Sequence, residues 1–212
     1  MSLKPSTSPA AGGDKLVLAS ASPRRRELLA SLGYRFEVEV SQVDEAVLPE
    51  EQPAAHVVRL SEEKAREVAA RVAGAGRWYL GSDTVVVCDG QILGKPADAA
   101  QARTMLAMLS GRSHEVYSGF ALYDRHSEQM RSGAVVTEVE FRPLTKAEIA
   151  GYIASGEPFD KAGAYAIQGL AAAMVRRISG SYSNVVGLPL CEVVEALTAA
   201  GLPSPLTGDQ DA

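Results

Sequence analysis

Two small sets of charged residues carry the chemistry that this chain could do. The basic set is Arg24, Arg25, Lys64, Lys95 and Lys161, and the acidic set is Glu45, Asp83 and Asp160. Asp83 is the oddest of them. It sits in Tyr79-Leu80-Gly81-Ser82-Asp83-Thr84-Val85-Val86-Val87-Cys88, whose composition predicts a buried strand. A carboxylate inside such a strand is costly unless it is paired, hydrogen-bonded or metal-bound. Phosphoryl transfer needs both signs of charge. Cations neutralise phosphate oxygens, while carboxylates hold Mg²⁺ or Mn²⁺ and activate water. Each residue has a plainer reading. Asp83 can be a carboxylate hydrogen-bonded to a neighbouring loop, Lys64 a solvated lysine among Glu62, Glu63 and Glu67, and Arg25 the partner of a protein carboxylate. Taken together, the two sets fit hydrolysis of a polyphosphate.

The elements that must position these residues are legible in order. Lys15 to Ala19 is a short apolar strand. Ser22-Pro23 starts a helix, with serine as N-cap and proline at the first helical position, and Gly33 closes it. At 100° per residue Arg25 falls on the face of Leu28, Leu29 and Leu32. A cation pointing inward at a helix N-terminus opposes the helix dipole, and an anionic ligand resolves that conflict. Tyr34 to Val40 alternates as a strand, Ser41 to Glu50 is an acidic loop, and Ala54 to Val72 is an amphipathic helix carrying Lys64. Asp89-Gly90 is a hairpin turn into Gln91-Ile92-Leu93, and Gly94-Lys95-Pro96 holds Lys95 at a stiff corner. Asp98 to Leu109 is helical. His114 to Tyr123 and Ala134 to Phe141 are antiparallel strands joined by a polar link, Asp124 to Gly133. Thr145 to Ser155 is a helix with a Thr145/Glu148 capping box. Gly156 to Leu170 is a long loop carrying Asp160, Lys161 and Gln168, which favours a functional reading. A strand over Ala173 to Ile178, a polar loop over Gly180 to Gly187 and a helix from Leu188 to Ala200 complete the chain.

Composition excludes several classes. The chain has 212 residues, of which 46% are hydrophobic, and a net charge of −5. No global basic field draws in nucleic acid. No apolar run approaches the ~20 residues of a membrane span. Two cysteines, Cys88 and Cys191, lie far apart with no zinc or disulfide spacing, which suits a reducing cytoplasm. Residues 1–14 and 202–212 read as tails around one domain, 15–201. There is no P-loop, no dinucleotide fingerprint and no nucleophile elbow. His56, His114 and His126 lack metal-ligand spacing and read as surface or structural residues.

Leu18-Ala19-Ser20-Ala21-Ser22-Pro23-Arg24-Arg25, Gly81-Ser82-Asp83-Thr84-Val85-Val86, Gly94-Lys95-Pro96, Ser118-Gly119 and Asp160-Lys161-Ala162-Gly163-Ala164-Tyr165-Ala166-Ile167-Gln168-Gly169 together resemble the Maf-like proteins, in order over about residues 15–201. The resemblance implies a nucleoside triphosphate pyrophosphatase that splits the α,β-phosphoanhydride with a divalent cation. It implies a mixed α/β fold: an elongated, strongly bent mixed sheet flanked by helices, with two lobes around a central cleft, as in inosine triphosphate pyrophosphatases. By position, Asp83 looks like the proton acceptor or a metal ligand. Arg24, Thr84 and Gln168 look like the residues that set substrate choice. Ser20, Arg25, Lys64, Lys95 and Lys161 join them in holding the nucleotide, and Glu45, Asp83 and Asp160 are the expected metal set. The Gln168 loop is similar to that of the subfamily acting on dTTP and UTP, and a glutamine amide suits a pyrimidine edge. Pyrophosphatases of 7-methyl-GTP or another modified purine, and a nucleotide-binding regulator of septum formation, stay open as alternatives. A homodimer is the assembly that the resemblance implies.

Overall fold

Strand β3, Trp78–Cys88, is the longest-buried strand of a seven-stranded mixed sheet and the scaffold of everything below. A computed structural model of the chain describes residues 15–72, 76–204 and 206. The expected tail over 1–14 lies outside the described residues, as does most of that over 202–212. Strand β1 (Leu16–Ala19) lies parallel to β3 on one edge, with β2 (Phe36–Val38) parallel beyond it. On the other edge β3 pairs antiparallel with β5 (Ser113–Asp124), then β6 (Gln129–Phe141) and β7 (Val175–Ser179) follow. The Asp89-Gly90 turn has positive φ at both residues, 51° and 75°, and returns the chain into β4 (Gln91–Leu93). That double positive φ is the type I′ geometry that matches strand twist.

One consequence of this register makes the site. Strand β1 ends where Ala19 pairs with Gly81, and antiparallel β4 reaches back along β3 only as far as Val86, paired with Leu93. Residues 82–85 of β3 therefore have β5 on one edge and no strand on the other. The gap opens beyond the C-terminal end of a parallel strand, where α/β sheets commonly bind ligands.

The two faces of β3 are covered differently. Trp78 and Leu80 join one apolar cluster with Leu16, Leu29 and Val193, and Val86 and Cys88 join another with Leu106, Phe141 and Tyr165. Ser82 and Thr84 fall between these clusters. On the opposite face, helix α2 (Pro53–Arg71) covers Tyr79, Gly81, Asp83, Val85 and Val87. It lies very close to the sheet. A Cβ on Gly81 would stand 2.0 Å from Ser61 O, and one on Gly119 of β5 would stand 2.2 Å from Val57 O. Only glycine at both positions lets the helix backbone rest on the strands.

Helix α1 (Pro23–Ser31) starts as its sequence predicts: the Ser22 side chain accepts from Arg25 N, and Gly33 turns the chain with φ 83°. Its anchor is Leu29, fully buried, a burial that stabilises by about 2 kcal/mol. Helix α3 (Ala99–Leu109) is capped by Asp98, and α4 (Lys146–Ala154) has the complete Thr145/Glu148 capping box. Helix α6 (Leu190–Ala199) buries Val193 and Leu197. No helix among the described residues is long and apolar enough to cross a membrane.

Several boundaries differ from the sequence reading. Strand β2 stops at Val38, because β1 ends at Ala19 and offers no further partner; Val40 is exposed. The supposed polar link of the long hairpin is strand from Gln129 onward, because the antiparallel ladder with β5 continues to Asp124↔Gln129. Its polar residues face solvent, so composition imitated a loop. Gly180 to Gly187 is not a plain loop: Ser181 caps a short helix, α5 (Tyr182–Val186), that buries Asn184. The long loop after α4 winds through three 3₁₀ turns, Glu157–Asp160, Ala162–Ala164 and Gly169–Met174, and the last delays β7 to Val175.

Candidate active site

A cleft of about 720 Å³ opens at the unpaired edge of β3. Every residue that the sequence singled out lines it: Ser20, Arg24, Arg25, Glu45, Lys64, Asp83, Thr84, Lys95, Asp160, Lys161 and Gln168. Four regular elements and three loops supply them. Ser20 leaves the end of β1, the arginines open α1, Lys64 comes from α2, Asp83 and Thr84 from β3, and the rest from loops.

Lys64 is the centre of one half. It is buried, and its Nζ donates to Asp83 Oδ1 at 2.7 Å and to Glu45 Oε1 at 2.6 Å. The acidic neighbours Glu62, Glu63 and Glu67 do not bind it, so the solvated reading is overturned. Sequence neighbours on a helix point to different sides, and Lys64 lies on the buried face with Leu60 and Ser61. Lys95 Nζ donates to the other Glu45 oxygen at 3.1 Å. Partial burial opposes ionisation of Glu45, but the Lys64 hydrogen bond and the charges of Lys64 and Lys95 outweigh it and hold the carboxyl near a pKa of about 2. Asp83 Oδ2 makes no hydrogen bond to any described residue.

The other half is built on α1 and the loop after α4. Arg24 Nη1 lies 3.6 Å from Asp160 Oδ2, and Lys161 Nζ donates to Asp160 Oδ1 and to Glu157 O. Desolvation pushes the Asp160 carboxyl up, and the nearby Lys161 and Arg24 charges pull it down further, so it is ionised.

Arg25 has neither of its two expected roles as its main contact. Its Nε donates to Gly187 O at 2.7 Å, Nη1 to Ser82 O at 2.8 Å and to Ser20 Oγ at 3.2 Å, and Nη2 to Thr84 Oγ1 at 2.9 Å. The guanidinium binds carbonyls and hydroxyls rather than a carboxylate, and most of its donors are already engaged. Burial lowers its pKa, while the charges of Asp83 and Glu45 act in the opposite direction. Thr84 Oγ1 also meets Ser118 Oγ at 2.8 Å, and Ser118 donates to Asn184 O. Arg25 thus ties α1, β1, β3 and the turn after α5 into one unit.

Gln168 is exposed and stands at the start of the last 3₁₀ turn. The sequence reading passed over Phe159, the neighbour of Asp160. Its ring is 41% exposed and lines the same cleft. An aromatic directly beside Asp160 and Lys161, two residues already chosen, was the available signal. The histidines behave as expected of structural residues: His114 is buried against Tyr165 Oη at 2.7 Å, His56 is buried against Glu51, and His126 is exposed.

No group of three or more His, Cys, Asp or Glu side chains among the described residues could by itself enclose a metal ion. Glu45 and Asp83 converge on one point, and Asp160 stays with Arg24 and Lys161. Two carboxylates fit the way that Mg²⁺ is usually held, by one or two carboxylates with substrate phosphates and water.

A family model described as "Maf-like protein" matches residues 15–200. A protein of Geobacter metallireducens named "dTTP/UTP pyrophosphatase" is 58% identical over 187 residues, covering 88% of this chain and 96% of its own length. A protein of the same name from Syntrophotalea carbinolica is 57% identical over 197 residues, covering 93% of this chain and 90% of its own. One from Myxococcus xanthus, also so named, is 54% identical over 190 residues, covering 90% and 94%.

Proposed function

The chain belongs to the Maf-like protein family, and from that membership and the cleft we infer that it hydrolyses dTTP and UTP to the monophosphate and pyrophosphate. The observation that carries this is Lys64 standing between Asp83 and Glu45 at the unpaired edge of β3, with Arg24, Lys95 and Lys161 lining the same cleft. A polyphosphate needs several cations in one concave site beside a carboxylate able to take a proton.

In this reading the α1 N-terminus and Arg24 hold the polyphosphate, and Lys64, Lys95 and Lys161 neutralise charge on the leaving pyrophosphate. Asp83 Oδ2 takes the proton of the water that attacks the α-phosphorus. Arg25 keeps Ser20, Ser82 and Thr84 in place rather than reaching far into the cleft. Glu45 and Asp83 are the pair that would hold a divalent cation, Mg²⁺ or Mn²⁺, whose chemistry is to withdraw charge from phosphate oxygens. Gln168 reads the pyrimidine edge, and Phe159 offers a ring face to the base. Residues 15–201 act as one catalytic unit, working in the cytoplasm as a homodimer.

The test is pyrophosphate release from dTTP, UTP, 7-methyl-GTP, ITP and ATP, with Mg²⁺ or Mn²⁺ and with EDTA. Metal-dependent turnover preferring dTTP and UTP is expected. Preference for 7-methyl-GTP or ITP overturns the pyrimidine specificity. Absence of turnover with measurable nucleotide affinity favours a regulatory binding protein.

A further inference from the structure

We propose that the Lys64 ammonium occupies the place between Glu45 and Asp83 where a divalent cation would be held, so that the free protein excludes the metal until a nucleotide arrives. This rests on the reading of the cleft as a metal-assisted pyrophosphatase site. Lys64 Nζ bridges the two carboxylates at 2.6 and 2.7 Å, a single cation shared between two anionic oxygens. That is the coordination task of a metal ion, performed by a side chain.

The charges make the exclusion quantitative in sign. Glu45 and Asp83 contribute two negative charges, and Lys64 and Lys95, both bound to Glu45, contribute two positive ones. A divalent cation approaching this group meets no net attraction, and it meets a buried ammonium at the point where both carboxylates aim. Lys64 is held there by burial on α2 and by the close seating of that helix over Gly81 and Gly119, so it cannot simply swing into solvent. Expelling it without a replacement anion would leave a buried charge unpaired, which is strongly unfavourable.

A triphosphate changes the balance. Its oxygens are competing acceptors for both ammonium groups, and each ammonium that turns to a phosphate frees a carboxylate oxygen. Lys64 thus has two partners in turn, the carboxylates in the free protein and phosphate in the complex. The two free carboxylates and the phosphates then make up a donor set that neither could make alone. Metal affinity becomes conditional on nucleotide, and by linkage nucleotide affinity rises with metal to the same degree.

The experiment is Mn²⁺ binding followed by electron paramagnetic resonance, on the full chain without nucleotide. Wild type is compared with Lys64→Met and Lys64→Gln, each checked for folding by circular dichroism. Mn²⁺ binding to the wild type should be weak. Both variants should bind Mn²⁺ at least tenfold more tightly, although they turn over dTTP poorly. Wild-type affinity equal to that of the variants overturns the proposal. Lys64→Gln removes the charge while keeping a polar N–H donor, on a side chain one atom shorter, so it remains informative if Lys64→Met does not fold. Micromolar Mn²⁺ binding by the free wild-type protein overturns the proposal without any variant. The turnover reading is tested separately by pyrophosphate release, so it can fail while the Mn²⁺ difference stands, or the reverse.

Discussion

Arg25 Nε donates to the carbonyl of Gly187 at 2.7 Å, across 162 positions of sequence. The bond joins the first turn of α1 to the turn between α5 and α6. It makes Arg25 and Arg24, adjacent and chemically identical, into residues with different work. Arg25→Lys removes the fork that serves Gly187 O, Ser82 O and Thr84 Oγ1 together and should cost about 1–3 kcal/mol of stability, because a half-buried cation loses most of its hydrogen-bond partners. Arg24→Ala removes one long, partly exposed ion pair with Asp160 and should change stability by less than about 0.5 kcal/mol. It should instead raise the KM for dTTP. Urea unfolding and steady-state kinetics on both variants check the contrast, and equal stability losses would refute it.

Asp83→Asn keeps the shape of the side chain and removes the proton acceptor. The kcat for dTTP should fall by about 10²–10⁴-fold. Binding of dTTP, measured by calorimetry, should persist, because Lys64 keeps Glu45 as a partner in the free protein. Wild-type turnover in this variant would take Asp83 out of the mechanism.

Gly119→Ala tests how the site is assembled. The added methyl would stand 2.2 Å from Val57 O and 2.8 Å from Ser61 Oγ, so α2 must move away from the sheet. A destabilisation of about 3 kcal/mol is expected from overpacking against backbone. The same displacement carries Lys64 from Asp83, so folded protein recovered at low temperature should also show reduced kcat. Unchanged stability and activity would mean that the helix is more loosely seated than its position implies.

His114 gives the fold a pH dependence. Burial lowers its pKa from 6.5 to about 4, so the folded state holds it neutral while the unfolded chain binds a proton below pH 6.5. Stability due to this group is therefore full above pH 6.5 and is lost progressively as pH falls towards 4; at pH 5 the loss is about 2 kcal/mol. Carboxyls held near 2, such as Glu45, Glu51 and Asp124, lose their contribution only below about 4.5, the ordinary carboxyl range. Comparison with His114→Phe separates this histidine from the other groups that titrate in the same range. Urea midpoints at pH 7 and pH 5 should differ by more in wild type than in His114→Phe.

Phe159→Ala should raise the KM for dTTP by about tenfold with kcat little changed, since a stacked base contributes about 1–3 kcal/mol of binding. Phe159→Trp should restore affinity. Because Trp78 is buried, the new indole would also report nucleotide by fluorescence quenching. An unaltered KM in Phe159→Ala removes the ring from the base site.

Much of the fold was legible because its signals are local. Ser22-Pro23, Asp89-Gly90 and the Thr145/Glu148 box each act within four residues, and each appears in the structure where the chain predicts it. The misreadings share one physical cause. The polar start of β6 is strand only because β5 is there to pair with it, and Val40 is not strand because β1 has already ended. Phe159 was passed over for the same reason, since its exposure in the cleft depends on distant walls.

By itself, the sequence determined the inventory: which cations and carboxylates exist, that Asp83 sits inside an apolar strand, and that the arginines open a helix. It also carried the order of motifs that places the chain among the Maf-like proteins. Tertiary structure alone decided which charge meets which. Lys64 has three glutamates near it in sequence and binds none of them, because Gly81 and Gly119 let α2 rest on the sheet and aim it at Asp83. Arg25 is spent on Gly187, Ser82 and Thr84 for a similar reason. Capping and turn formation act over a few bonds and can be read from neighbours. Ion pairing acts through space, and the chain must fold before its partners are defined.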